Sequence, residues 1–281
     1  MNNDDFESII PTALHTLYPL TFTDIPFSNN IYDELCKYGF PNELKNEKIT
    51  FEIEARYKLI DKFIKETKAT QILELASGFT PRGLNFCLEN KEITYVELDL
   101  PQVIEKKQNI LKQITDTPKN LYFVSGNALN MQDINKCLKY FNTKKPIVVI
   151  NQGLMRYLNF NEKHLLAENI CNIIKPNNGF WLTCDLTPAK FITNQNKNIN
   201  QNYNAKLTQV TSRNNPNWRF KDKNHAEIFF NDLGFSIEWH EFTESIPLLF
   251  SPIKLNLNPE ETRKYLENAY VSILQLNKKT F

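Results

Sequence analysis

From about residue 70 onward, short β-branched runs alternate with longer stretches carrying apolar residues at helical spacing, and few architectures satisfy that alternation. Runs at 71–76, 93–99, 121–126, 146–151, 179–185 and 235–242 read as strands, with another near 269–276. Between them Val103, Ile104, Ile110, Leu111 and Ile114 form one apolar stripe, and Leu166, Ile170, Ile173 and Ile174 form a second, each suited to lie on a sheet. The expectation is an α/β fold with a doubly wound, mostly parallel, seven-stranded sheet. Pro101 falls in the first turn of its helix, where a missing N–H costs nothing.

Ahead of this core, residues 4–67 read as several helices, the last carrying Leu59, Ile60, Phe63 and Ile64 on one face. They are expected to form an N-terminal helical lid or shoulder over 1–67, with the sheet domain over 68–281. Residues 187–218, rich in Asn, Lys and Thr and poor in periodicity, read as an insertion after the fifth strand.

Charge announces no partner. Lys and Arg total 33 against 32 Asp and Glu, with no dense block of one sign, so neither a nucleic acid nor an anionic membrane is expected as partner. Five scattered cysteines with no Cys-x-x-Cys pair argue against a disulfide framework and a zinc site, and no metal is expected. The acidic start MNNDDFESII lacks a secretory pattern, and no apolar run approaches the roughly 20 residues that span a bilayer. The expected compartment is the cytoplasm.

Of the seven glycines, Gly78, Gly126 and Gly153 follow the carboxyl ends of the first, third and fourth predicted strands, the edge at which open α/β sheets bind ligands. The stretch ILELASGFTPRG, residues 72–83, is the most informative there: an apolar strand with Glu74, a turn Ala76-Ser77-Gly78, then a helix. A dinucleotide site would want Gly-x-Gly-x-x-Gly and free N–H groups for a pyrophosphate; this turn has one glycine, and Pro81 donates nothing. An NAD-dependent oxidoreductase is thereby disfavoured, and a phosphate-free cofactor such as S-adenosylmethionine fits better. A plain β-to-α turn with Glu74 as a capping carboxylate explains this stretch equally well. The second strand closes in YVELDLPQVIEKK, placing Asp99 about 25 residues beyond Glu74, the offset of an acid that accepts from ribose hydroxyls. Glu97 is the alternative on the same strand face, and a helix-start acid is the plainer reading of Asp99.

Three segments, EARYKLID (54–61), ELASGFTPR (74–82) and VELDLPQVIEKK (96–107), together resemble the leucine carboxyl methyltransferase group and its bacterial relatives, the polyketide-type O-methyltransferases. The Leu-Pro after the acid is the most specific element, and the resemblance runs over about residues 50–190. It implies that Arg56 pairs with the carboxylate at the methionine end of S-adenosylmethionine, that Gly78 shapes the turn and that Asp99 holds the ribose. Glu74, Ala76, Leu100, Asn127, Ala128 and Gln152 complete the expected cofactor contacts. Asn127 and Gln152 depart from the family pattern, which has Asp near the adenine amino group and Glu beside the cofactor. A binding-only relative of the same fold is therefore the alternative to an enzyme.

The function implied is methyl transfer to a carboxylate or hydroxyl of a small molecule or peptide end. Arg156 and Tyr157 are the candidates for aiming the acceptor. Asp185, or His240, is the candidate base if the acceptor is a hydroxyl.

Overall fold

A computed structural model describes residues 10–38, 49–186, 213 and 215–277. Most of the expected insertion at 187–218 lies outside the described residues. Among the described residues three helices come first: α1 (Ile10–Leu20), α2 (Ser28–Cys36) and α3 (Thr50–Thr67). Five β-strands then alternate with helices: β1 (Gln71–Leu75), α4 (Arg82–Glu89), β2 (Thr94–Asp99), α5 (Pro101–Ile114), β3 (Leu121–Ser125), α6 (Met131–Leu138), β4 (Val148–Asn151), α7 (Phe160–Ile174) and β5 (Phe180–Thr183). Helix α8 (Lys223–Asn231) precedes β6 (Phe235–Glu241), and β7 (Tyr270–Leu276) closes the sheet.

The strand order is β3-β2-β1-β4-β5-β7-β6. Strands β1 to β5 pair in parallel, and β7 runs antiparallel between β5 and β6. The order reverses between β1 and β4, so the crevice for a ligand opens at their carboxyl ends.

Because strand side chains alternate, successive residues of β1 serve two separate cores. Ile72 packs on one face with Leu59, Ile60 and Phe63 of α3, Leu84 of α4 and Leu111 of α5. Leu73 and Leu75 pack on the other with Ile134 of α6, Leu166 and Ile170 of α7, and Phe230 of α8. Helix α3 is therefore part of the sheet's own core, with Leu59 and Ile60 fully buried. Leu17 of α1 and Ile31 and Leu35 of α2 are buried in the same cluster. Glu74, between Leu73 and Leu75, necessarily points to the α3–α4 side, and this alternation places the polar machinery described below.

Candidate active site

At the end of β1 the backbone turns sharply. Ala76 and Gly78 both adopt left-handed conformations, with φ of 54° and 55°. Glycine tolerates this and alanine does not do so cheaply, so the turn is strained at Ala76. Asp99 ties it to the neighbouring strand: its Oδ2 accepts from the Gly78 N–H at 2.6 Å and its Oδ1 from the Leu100 N–H at 2.7 Å. Burial raises the pKa of Asp99 and these two N–H groups oppose that rise. Each carboxylate oxygen keeps a second lone pair, so Asp99 can still accept from a pair of hydroxyls. Glu97, by contrast, is fully buried beneath α4 and paired with the equally buried Lys107. As an alternative ribose acid it is excluded.

The principal feature that sequence reasoning missed is Arg82. It stands in the first turn of α4 and is completely buried. Its Nε donates to Asp61 at 2.7 Å, Nη1 to Glu74 at 2.5 Å and Nη2 to Gln152 at 2.8 Å, while its guanidinium carbon lies 4.1 Å from the Tyr57 ring centre. The Tyr95 hydroxyl donates to the other Glu74 oxygen at 2.7 Å. Burial pushes Asp61 up to about 6, although the adjacent guanidinium opposes the shift. A usable signal was present: a cation in a helix's first turn opposes the dipole, so some specific anion must compensate it.

This hub takes in two of the expected cofactor contacts. Glu74 lines the floor of the cleft, but both its oxygens are engaged by Arg82 and Tyr95. Its charge is thereby shared with Arg82. Gln152 also lines the cleft, yet its Oε1 belongs to Arg82, so it offers the cleft its amide N–H groups. With Glu74 and Asp61 already facing one guanidinium, a neutral third partner is the electrostatically economical choice.

Asp185 requires a correction. Its carboxylate accepts from Asn151 Nδ2 at 2.6 Å and from the backbone N–H groups of Gly153, Leu154 and Met155 at 2.7, 2.8 and 2.9 Å. Asn151 is itself held by the Trp181 indole N–H at 2.6 Å. Four N–H donors occupy the carboxylate, so Asp185 anchors the loop after β4 and is not placed to take a proton from an acceptor. His240 lies between Glu238 and Glu244, at 3.1 and 3.3 Å, and 4.3 Å from the Phe63 ring, away from the cleft lining.

The loop that Asp185 anchors presents Arg156 and Tyr157 to the cleft on a short 3-10 turn, Met155–Tyr157. Arg156 sits 5.6 Å from the Tyr157 ring centre, and Arg219 is pushed down to about 10 by burial and by the charge of Arg156. From α3, Arg56 reaches the same cleft, and its Nε is buried without a hydrogen-bond partner. Thr12, Ala13 and Thr16 of α1 supply the outer wall; a Cβ placed on Gly78 would lie 3.5 Å from that of Ala13.

The cleft has two lobes that share Ala76, Asp99, Leu100 and Leu154. The larger, about 860 Å³, holds Arg56, Arg156 and Tyr157. The smaller, about 400 Å³, is an apolar slot walled by Leu98, Ala128, Leu129 and Leu158, with Asn127 at its edge. A cationic end, a waist at the Asp99 carboxylate and an apolar slot follow one another along the carboxyl ends of the central strands.

The sequence pattern of one family, leucine carboxyl methyltransferase, matches residues 28–171, just over half of the chain, and includes α3, the β1 turn, β2 and the loop after β4. The chain belongs to the leucine carboxyl methyltransferase family. A Mycobacterium tuberculosis protein provisionally named an S-adenosyl-L-methionine-dependent methyltransferase is 32% identical over 124 residues. That match takes in 43% of this chain and 38% of the relative, so the chain aligns with well under half of its length. Among solved structures, a DUF574 family protein from Streptomyces avermitilis is similar with a TM-score of 0.58 at 10% identity, covering 93% of this chain and 97% of that one. A Thermobifida fusca protein, provisionally titled a methyltransferase, is similar with a TM-score of 0.54 at 13% identity, covering 97% and 95%. At such identities these likenesses establish the fold, and this leucine carboxyl methyltransferase family member has the seven-stranded class I methyltransferase architecture expected of it.

Proposed function

We propose that the chain is an S-adenosylmethionine-dependent O-methyltransferase acting on a carboxylate or hydroxyl of a small molecule or peptide end. One observation carries this reading: Arg56, whose Nε is buried without a partner, lines the same cleft in which Asp99 closes β2 and an apolar slot follows it. A carboxylate meets the first, vicinal hydroxyls the second and a flat base the third. S-adenosylmethionine, when bound, supplies a methyl group already activated by a positive sulfur. The protein's remaining tasks are alignment and exclusion of water.

Arg56 would fix the amino-acid end, Asp99 the ribose, and Ala76, Leu100 and Ala128 would pack against the nucleoside. Arg156 and Tyr157 would aim the acceptor. Among the described residues lining the cleft, the carboxylates of Glu74 and Asp99 are engaged by the fold, and Asp185 is committed elsewhere. That arrangement favours a carboxylate acceptor, which needs no proton removed, over a hydroxyl. The balanced charge of the chain supports a small-molecule or peptide-end partner over a nucleic acid. Among the described residues no helix is long and apolar enough to cross a membrane.

Calorimetry with S-adenosylhomocysteine tests the cofactor half of the proposal. Binding is expected, weakened roughly tenfold or more in Arg56→Gln, because a charge-assisted bidentate contact is lost. No detectable binding to the wild-type chain would overturn it. A methyl-transfer screen across carboxylic acids, peptide ends and phenols tests the acceptor half, with turnover expected on acids, and binding without turnover on any acceptor would favour the binding-only alternative.

A further inference from the structure

Asp61, one of the three partners of Arg82, lines a second recess of about 1090 Å³ between α3, α4 and the loop that joins α1 to α2. This recess shares no lining residue with the cleft. Its charges do not balance. Lys58 is shared between Asp24 at 2.5 Å and Glu54 at 2.7 Å, and Arg82 between Asp61 at 2.7 Å and Glu74 at 2.5 Å. Lys62 and Lys65 each meet a single carboxylate, Glu66 and Glu89. Each shared cation leaves one carboxylate charge uncompensated, so among the described residues the recess and its walls hold an excess of negative charge at Asp24 and Asp61.

Water and salt would meet a charge excess alone. The wall of the recess adds an independent feature. Tyr57 is 1% exposed, and its hydroxyl is buried without a hydrogen-bond partner. Burial, and then the charge of Asp61, push the Tyr57 pKa up, while the nearby Asn85 amide acts the other way. Tyr57, Asp61 and Asn85 all line the recess, so the unmet hydroxyl stands among its polar side chains. The Tyr57 ring is held by the Arg82 guanidinium at 4.1 Å, which limits any swing toward another partner.

Asp61 gives Oδ1 to the Arg82 Nε, and its side chain is 23% exposed, which leaves Oδ2 for a further donor. A primary ammonium has three N–H bonds and no acceptor, so it can serve that oxygen and the Tyr57 hydroxyl oxygen together. Ile25, Pro26, Phe86 and Leu248 form an apolar wall for the carbon chain behind it. We infer that this recess is a second ligand site, built for a small aliphatic amine whose ammonium donates to Asp61 and Tyr57 while its chain lies along Phe86 and Leu248. The inference goes beyond the cofactor reading and does not depend on it, because the two sites have no residue in common.

An amide chemical-shift titration of the full chain with n-pentylamine, at about pH 7.5 where the amine is charged, tests it against n-pentanol, the neutral isostere. Saturable binding of the amine is expected, about tenfold tighter than the alcohol or more, because a charge-assisted contact is at stake. Asp61→Asn keeps an oxygen for Arg82 and removes the charge, so amine affinity should fall about tenfold. Tyr57→Phe keeps the ring under Arg82 and removes the hydroxyl alone; affinity should fall about threefold, a loss that general electrostatics does not produce. No saturable amine binding, equal affinity for amine and alcohol, or an amine affinity unchanged in both variants would overturn the inference. Tighter binding of Nα-acetyl-lysine N-methylamide than of n-pentylamine would also overturn it, by making a protein lysine the occupant.

Discussion

At the scale of single residues, the site depends most on a buried cation whose three nitrogens each donate to a protein side chain. Arg82 is shared by Glu74, Asp61 and Gln152, and one buried guanidinium holds three elements in register at the crevice. Replacing it by Met fills similar volume but leaves two carboxylates facing each other without a cation, and the expected loss is about 3–5 kcal/mol. Arg82→Lys keeps the charge but not the three-way fork, so it should fall between the two in urea unfolding. If Arg82→Met unfolds at the wild-type midpoint, the hub is not structural. Ala76 gives a test of opposite sign. Its left-handed backbone costs alanine roughly 1–2 kcal/mol, and part of that is recovered by glycine after its larger unfolded-state entropy is subtracted. Ala76→Gly should therefore stabilise the chain by about 0.5–1 kcal/mol, read as a higher urea midpoint. Much of the site was legible at this scale, because Arg56, Gly78, Asp99, Arg156 and Tyr157 were all named from sequence and all line one cleft. The hydrogen-bond partners of Asp185, Glu74 and Gln152 were not. A carboxylate or amide shows its type in sequence, but whether its lone pairs are already spoken for is a property of the backbone around it.

At the scale of elements the sequence was more transparent, for a reason visible in β1. Strands buried on both faces read as continuous apolar runs, and QILEL is buried at every position. All seven expected strands are present, and their ends move by at most two residues, as at β4, which begins at Val148 instead of 146, and β5, which ends at Thr183 instead of 185. The shortened end of β5 falls where the chain leaves the sheet to place Asp185 under the loop after β4. Less legible was the standing of α3: its amphipathic stripe predicts an apolar partner without saying whether that partner is a sheet or a lid. Close approach between elements also yields a prediction. A Cβ on Gly83 would lie 2.4 Å from Glu97 Oε1 and 2.9 Å from Leu121 Cδ1. Because Glu97 is immobilised by Lys107, it cannot swing away, so α4 must lift from β2. Gly83→Ala is expected to cost about 1–3 kcal/mol, and unchanged thermal unfolding would show that the layer has slack there.

At the scale of the molecule, one buried cation ties the loop that lines the cleft to a turn distant in sequence. Lys163, near the start of α7 and 1% exposed, donates to the Leu158 carbonyl and to the Trp218 carbonyl, the latter at 2.8 Å. It thereby links the loop that presents Tyr157 to the turn at Pro216–Trp218. Arg213 reinforces the link, reaching Glu162 at 2.5 Å and the Tyr157 carbonyl at 3.2 Å. Burial lowers the Lys163 amine to about 8 from its ordinary 10.5, against the opposing pull of Asp185 and Glu162. The neutral amine still has two hydrogens for its two carbonyls, so losing the proton need not break the link. Between pH 8 and 10.5 the unfolded chain binds the proton that the folded chain has released, so this residue's contribution to stability rises with pH across that window. Below pH 8 folding must carry the full cost of burying the charge, and above 10.5 that cost is gone. Other lysines and tyrosines titrate in the same range, which makes the informative quantity a difference between two proteins. Lys163→Met removes the titration and fills the space, so the stability gap between wild type and variant should change by a few kcal/mol from pH 7.5 to 10.5, moving in the wild type's favour. Urea unfolding at four pH values measures that gap, and parallel pH profiles for the two proteins would mean that the amine is solvated and the junction is held by Arg213 alone.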